Sequence, residues 1–387
     1  QKYEKKSANA QQSTAKQYPN IITVVNETFA DIKVLGDFKT NEDYMPYFHS
    51  LKKNCVTGYT YASIVGGQTA NTEFELLTGN TLGFLSAGTT AFQLYIHGQM
   101  PSLVSNLKAE GYSGNKAMHP FNPYNYNRPA VYKDFGFTDF IDKFDFPKNV
   151  KRVREYISDE ANVDRIISEY EKNRKKTDQP FYMYNMTIQN HSPYDKDAAN
   201  FKQPIKIESS KYDAEANRYL NLIKYSDDSL KQLTSYFEKC KEPTIILFLG
   251  DHQPRLTDEF MNKITNGQYQ TWSSEQMMKR YQVPFVIWAN YDIKEQHIEK
   301  TSMNYMQSIL TQTAGVKMTG YQRFLNEVRK EVPTITSQGY WGKNGKFYQI
   351  NDKGSPYYGI IQKYRMIQYN MMFDKKNRRD SFFEVSK

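Results

Sequence analysis

Apolar side chains along this chain come in short unbroken runs, separated by longer stretches in which they recur every three or four residues. Asn20-Ile21-Ile22-Thr23-Val24-Val25-Asn26 is one such run, Phe181 to Thr187 a second and Thr244 to Leu249 a third, and Val283 to Ala289 continues the set. Continuous β-branched and aromatic runs of this length predict strands covered on both faces, the pattern of a parallel sheet. Between them the helical period marks Met100 to Glu110, Val150 to Asn173, Ala214 to Lys239 and Tyr305 to Gly315. Strands alternating with helices predict an α/β fold whose central, largely parallel sheet is flanked by helices.

The tail has a different texture. From Thr336 onward, Gly339-Tyr340-Trp341, Lys346 to Ile350 and Tyr364 to Met372 read as short aromatic strands, punctuated by the turn pairs Asn344-Gly345 and Lys353-Gly354. A small antiparallel, β-rich subdomain over residues 331–387 is therefore expected, packed on a main domain over 19–330. Residues 1–18 are polar, without a capped apolar stripe, and read as a linker or short exposed helix.

Composition narrows the function classes. At 387 residues the chain can bury a large core, and its formal charge of +9 comes from basic residues interleaved with acids. That spacing argues against nucleic acid as a partner and suits a solvated surface or anionic lipid headgroups. Cys55 and Cys240 form no metal clip and no redox motif. No run reaches the ~18 to 20 apolar residues of a membrane span. A chain that starts at Gln1 without methionine reads as a soluble piece, with any membrane-anchoring segment lying outside these 387 residues.

The chemistry gathers at strand ends. Glu27 follows the first apolar run, and Gly250-Asp251-His252-Gln253 follows the third. Two carboxylates and an imidazole suit Mn²⁺, Mg²⁺ or Zn²⁺, and the absence of thiolates speaks against a closed structural zinc site. The segment Gly66-Gly67-Gln68-Thr69-Ala70-Asn71-Thr72-Glu73 joins an irregular turn to a helical pattern. Thr69 would stand near a helix N-terminus, as a cap or as a nucleophile that needs a base or metal for activation.

Asn26-Glu27-Thr28, the Gly-Gly-Gln-Thr-Ala-Asn-Thr-Glu segment around Thr69, Asn190-His191-Ser192-Pro193-Tyr194 and Gly250-Asp251-His252 occur in this order. The set resembles the extracellular catalytic domains of lipoteichoic acid synthases and related phosphoglycerol transferases, within the sulfatase and alkaline phosphatase superfamily. The resemblance implies a single Mn²⁺ held by Glu27, Thr69, Asp251 and His252, with Thr69 becoming covalently glycerophosphorylated. It further implies a substrate pocket containing His119, Asn122, Tyr126, Arg128 and His191. His119 and Arg128 match the family pattern, Tyr126 stands in place of a tryptophan, and Phe121-Asn122 in place of an acid. His191 would donate to a phosphoryl oxygen or protonate the leaving group.

Departures from neighbouring families sharpen this. The residues after Thr69 lack the proline and arginine that formylglycine sulfatases carry, and Tyr225 to Gln232 lacks the histidine of a second metal set. The resemblance thus implies a single-metal transferase facing the outside of a bacterial membrane, with phosphatidylglycerol as donor. For the acceptor the resemblance leaves a cell-envelope polysaccharide or a polyglycerolphosphate chain as alternatives. A metal-dependent phosphodiesterase and a non-catalytic envelope-binding domain are the rival readings.

Overall fold

The computed structural model describes residues 18–208, 214–267 and 269–385; of the expected N-terminal linker only Tyr18 falls among them. Eight strands form the central sheet: β1 (Asn20–Asn26), β2 (Cys55–Tyr61), β3 (Ser113–Met118), β4 (Asp139–Ile141), β7 (Phe181–Met186), β8 (Thr244–Gly250), β9 (Gln282–Ala289) and β10 (Gln296–Ser302). A two-stranded ribbon supplies β5 (Arg152–Val153) and β6 (Tyr156–Ile157). The sheet order is β10-β2-β9-β8-β1-β7-β3-β4. Only β9 opposes its neighbours, pairing antiparallel with β2 and β8, so the other seven strands run one way.

Every residue of β1, β7 and β8 is buried, as their unbroken apolar runs require. The run ending at Ala289 is equally apolar, and periodicity says nothing about direction, so its antiparallel course is visible only in the fold. Helices cover both faces of the sheet. Those used below are α1 (Thr69–Thr78), α2 (Arg128–Phe135), α3 (Asp159–Arg174), α4 (Ala214–Phe237), α5 (Met306–Thr313) and α6 (Gly320–Glu331). All ten residues of α1 are buried, so this short helix lies inside the protein.

Two expectations fail. Val150 to Asn173 is not one helix: the β5–β6 ribbon comes first, with Arg154 at φ 54°, and α3 starts only after Ser158, whose hydroxyl caps the Ala161 amide. Tyr364 to Met372 is not a strand either but lies within α7 (Tyr358–Phe373). Its buried residues, Ile361, Tyr364, Gln368, Met371 and Met372, fall at helical spacing, and the aromatic content conceals that period. A small antiparallel sheet of β11 (Thr334–Thr336), β12 (Gly339–Trp341) and β13 (Phe347–Tyr348) is present, with Asn344-Gly345 in the β12–β13 turn. Segment 331–387 is consequently mixed rather than β-rich. Cys55 and Cys240 are unpaired.

Register brings the chemistry together. Asn26 pairs with Gly250, Val25 with Met186, and Asn185 with Met118. The residues just past these strands, Glu27, Asp251, Thr187 and His119, therefore emerge along one carboxyl edge, where open α/β sheets hold their ligands. The chain leaving β1 crosses directly above β8. A Cβ on Gly250 would lie 1.8 Å from the Phe29 carbonyl oxygen, a clash with backbone that no rotamer relieves. Gly250→Ala is expected to cost about 1 to 3 kcal/mol of stability, read as a lower urea midpoint; an unchanged midpoint would mean the two segments are not this close.

Candidate active site and metal centre

Asp251 begins where β8 ends, and backbone amides fix one side of its carboxylate. Oδ1 accepts from the Thr28 amide at 2.7 Å and from the His252 amide at 2.8 Å. Oδ2 is buried with no hydrogen-bond partner, and so is His252 Nε2, 3.2 Å away. His252 Nδ1 lies 2.9 Å from the Gln253 carbonyl and must donate to it, which leaves Nε2 as the nitrogen turned to Asp251 and, at 3.7 Å, Glu27 Oε1.

Glu27 completes the convergence. Its Oε1 accepts from the Thr28 hydroxyl at 2.8 Å, and the Thr69 hydroxyl lies 3.5 Å from Oε2. One donor atom each from Glu27, Asp251 and His252 lie within 4.8 Å of one another, all from buried residues. Burial, and secondarily the Asp251 charge, push the Glu27 carboxyl up to about 8 in the metal-free protein. Lone pairs crowded together away from water are satisfied by a cation, and a set of two carboxylates and one imidazole suits a divalent ion. This is the single convergent group of that kind among the described residues. Both oxygens of Asp227 are occupied by the Tyr47 and Phe48 amides, and Asp228 pairs with Lys224, so the 225–232 segment supplies no second set.

Thr69 reaches this centre through a strained approach. Gly67 at φ 145° and Gln68 at φ 63° turn the chain so that Thr69 becomes the first residue of α1. Its amide and that of Ala70 belong to the helix end that has no intrahelical acceptors. The helix is moored by the Thr72 hydroxyl on the Asp251 carbonyl at 2.8 Å.

A cavity of about 420 Å³ opens beside these residues, lined by Glu27, Thr69, His252, His119, Tyr126, Arg128 and His191 among others. His119 is buried, its Nδ1 donates to the Met186 carbonyl at 3.0 Å, and burial together with the Arg128 charge keeps the ring neutral at ordinary pH. Its Nε2 is therefore an acceptor. His191 Nδ1 lies 2.6 Å from the Ser192 carbonyl, and its loop is clasped by Arg154, which donates to the carbonyls of Gln189, His191 and Pro193. Behind the wall, the Asn190 side chain donates to Asn26 and Ser226, and Asn26 and Ser226 donate to Asp159, tying the loops that carry Glu27 and His191 to α3 and α4.

The structure thus brings eight of the nine residues singled out from the sequence to one cavity edge, since Asp251 sits in the centre next to it. Asn122 does not join the lining: its Oδ1 accepts from the Tyr124 amide, and Asn125 lines the wall instead. Two residues escape sequence reasoning. Arg255 lines the cavity and is exposed, and its only signal is its place three residues after His252. Glu73 is buried against Arg128, with a 2.7 Å contact between Oε1 and Nη2; its signal is a spacing of four residues from Thr69.

Residues 19–316 match the family model described as Sulfatase. A Rhizobium meliloti (strain 1021) protein named for cyclic beta-1,2-glucan modification is 31% identical over 374 residues, 95% of this chain and 56% of that protein. The lipoteichoic acid synthase of Staphylococcus aureus (strain USA300) is 28% identical over 196 residues, 48% of this chain and 28% of its own length. The chain thus spans about half or less of these curated relatives. Among solved structures, the Streptococcus pyogenes phosphoglycerol transferase GacH in complex with sn-glycerol-1-phosphate superposes with a TM-score of 0.77 at 20% identity, covering 100% of this chain and 95% of that one. The Listeria monocytogenes lipoteichoic acid synthase LtaP gives 0.69 at 19%, covering 94% and 95%. At these identities the two structures speak for the fold.

The raised Glu27 carboxyl has a definite sign for metal binding. Below about 8 the metal-free group holds a proton that an incoming divalent cation must displace. Affinity is expected to climb by up to about tenfold per pH unit and flatten above that value, with proton release detected by calorimetry in buffers of different ionisation enthalpy. An affinity indifferent to pH across this range would remove Glu27 from the ligand set.

Proposed function

The chain belongs to the sulfatase family, and from that premise we propose that it is a metal-dependent phosphoglycerol transferase. It moves glycerol phosphate from phosphatidylglycerol to a cell-envelope polysaccharide or teichoic acid acceptor, through a covalent intermediate on Thr69. The observation that carries this reading is the placement of the Thr69 hydroxyl. It lies 3.5 Å from Glu27, beside the convergent Glu27, Asp251 and His252 side chains, on the wall of a cavity that Arg128 also lines.

Glu27, Asp251, His252 and Thr69 would hold a divalent cation, with Mn²⁺ the ion the family resemblance favours, and its Lewis acidity would let the Thr69 hydroxyl give its proton to bulk water near neutral pH. Thr69 Oγ1 then attacks the phosphorus of the diester. The bond from phosphorus to the diacylglycerol oxygen breaks, and diacylglycerol leaves with a proton. His191 is the group for that transfer, because Nδ1 is committed to the Ser192 carbonyl and Nε2 remains to exchange the proton. In the second half an acceptor hydroxyl gives its proton to the same nitrogen, attacks phosphorus and releases Thr69. Arg128 holds a phosphoryl oxygen throughout by a charge-assisted hydrogen bond. The neutral His119 presents Nε2 as an acceptor for a glycerol hydroxyl.

On the acceptor side, the relative matched over 95% of the chain is named for glucan modification, which supports a polysaccharide. The positive charge of +9 and the family resemblance support a place for the domain on the outer side of a bacterial membrane, where a lipid donor is at hand.

Exposure of the metal-loaded protein to phosphatidylglycerol vesicles is expected to release diacylglycerol and to leave a glycerophosphoryl adduct on Thr69 in the intact mass. Thr69→Ala should form no adduct and lose about 10³-fold or more of the release rate. Release that persists in Thr69→Ala would end the covalent mechanism, and release without transfer to any glycan would point to a phosphodiesterase.

A further inference from the structure

Glu73 stands one helical turn after Thr69 on α1, hence on the same face of the helix. It is fully buried, and both carboxylate oxygens are engaged. Oε1 accepts from Arg128 Nε at 3.0 Å and Nη2 at 2.7 Å, while Oε2 accepts from the Tyr184 hydroxyl at 3.1 Å and from the Tyr132 hydroxyl. The Nε hydrogen and one of the two on Nη2 are thus taken up. The third nitrogen, Nη1, has only a long contact to the Asn125 carbonyl at 3.5 Å. The Tyr126 ring covers the guanidinium face at 5.1 Å, and Arg128 is 2% exposed where it lines the cavity.

An arginine on a cavity wall normally samples many rotamers, and one buried without a counter-charge carries a large desolvation cost. Glu73 removes both problems. It neutralises the guanidinium and fixes it from the Nε–Nη2 side, so that the N–H groups left on Nη1 and Nη2 are the ones a ligand can use. Since Thr69 and Glu73 ride on one helix, the attacking oxygen and the arginine share a common frame.

We propose that Glu73 is a positioning residue of the transfer: it acts through Arg128, holding the remaining guanidinium N–H groups in register with the Thr69 hydroxyl so that both meet one phosphoryl group. This rests on the cavity being a phosphoryl site, the reading proposed for its function. It also predicts behaviour that a purely structural ion pair would not show, because the value of Glu73 to ligand binding should vanish once Arg128 is gone.

The test is a double-mutant cycle on metal-loaded protein, with sn-glycerol 1-phosphate and inorganic phosphate as probes in titration calorimetry and thermal unfolding measured alongside. Glu73→Gln and Arg128→Gln should each weaken phosphate binding by about 10- to 100-fold, and the double variant should bind no more weakly than Arg128→Gln alone. Glu73→Asp keeps the charge but withdraws the carboxylate by one methylene; it should lose binding in the same direction, and it carries the test if Glu73→Gln does not fold. Wild-type affinity in either folded Glu73 variant, or losses that add in full in the double variant, would overturn the proposal. If the wild type binds inorganic phosphate in a Glu73-dependent way but not glycerol phosphate, the positioning role stands and the phosphoglycerol reading falls. Glycerol phosphate binding that ignores Glu73 overturns the positioning role and leaves the phosphoglycerol reading standing, and a wild type that binds neither overturns both.

Discussion

Two carboxylates and an imidazole lone pair converge within 4.8 Å at the buried edge of the sheet, and much of the architecture can be understood as the means of holding them there. Such groups repel one another and would rather face water. They stay because each is fixed from behind: Asp251 by two backbone amides, His252 by the Gln253 carbonyl, and Glu27 by the Thr28 hydroxyl. Those anchors depend in turn on β1 and β8 being neighbours in register, with the chain after β1 pressed on Gly250. The free energy of burying β1, β7 and β8 thus supports an arrangement that would fly apart in an exposed loop.

Much of this was legible in the sequence because strand-end chemistry comes directly from a pattern of continuous apolar runs. Glu27, Asp251 and His252 each stand just past such a run, and parallel strands deliver the residues at their carboxyl ends to one edge. Thr69 was readable through its glycine-rich approach. The features that escaped notice did so for physical reasons. Tyr364 to Met372 is aromatic enough for a strand, yet its burial repeats at three and four residues, and only tertiary packing decides between the two. Glu73 looks like one more charged residue in a helical stretch. Its meaning lies in Arg128, 55 residues away, and in two tyrosines from other elements. Asn122 stays out of the cavity because its side chain satisfies the local turn first.

The cavity wall shows how strain is distributed. Tyr126 and Asn127 have φ of 60° and 58°, a region in which asparagine is tolerated and tyrosine is uncommon. The conformation lays the Tyr126 ring over Arg128 immediately before α2 starts. Local strain at Tyr126 is thereby coupled to the orientation of a charged group, and the buried pair with Glu73 supports that orientation at the guanidinium edge.

The helical interval between Thr69 and Glu73 also limits how this gene segment can vary in length. Each residue advances an α-helix by about 100°, so one codon gained or lost between these positions would swing Glu73 away from Arg128 while Thr69 stayed at the metal centre. Substitutions here can be graded in effect, whereas insertions and deletions are all or nothing. Changes in length are therefore expected to be tolerated in surface loops and not here, where the four-residue phase of α1 has to be kept.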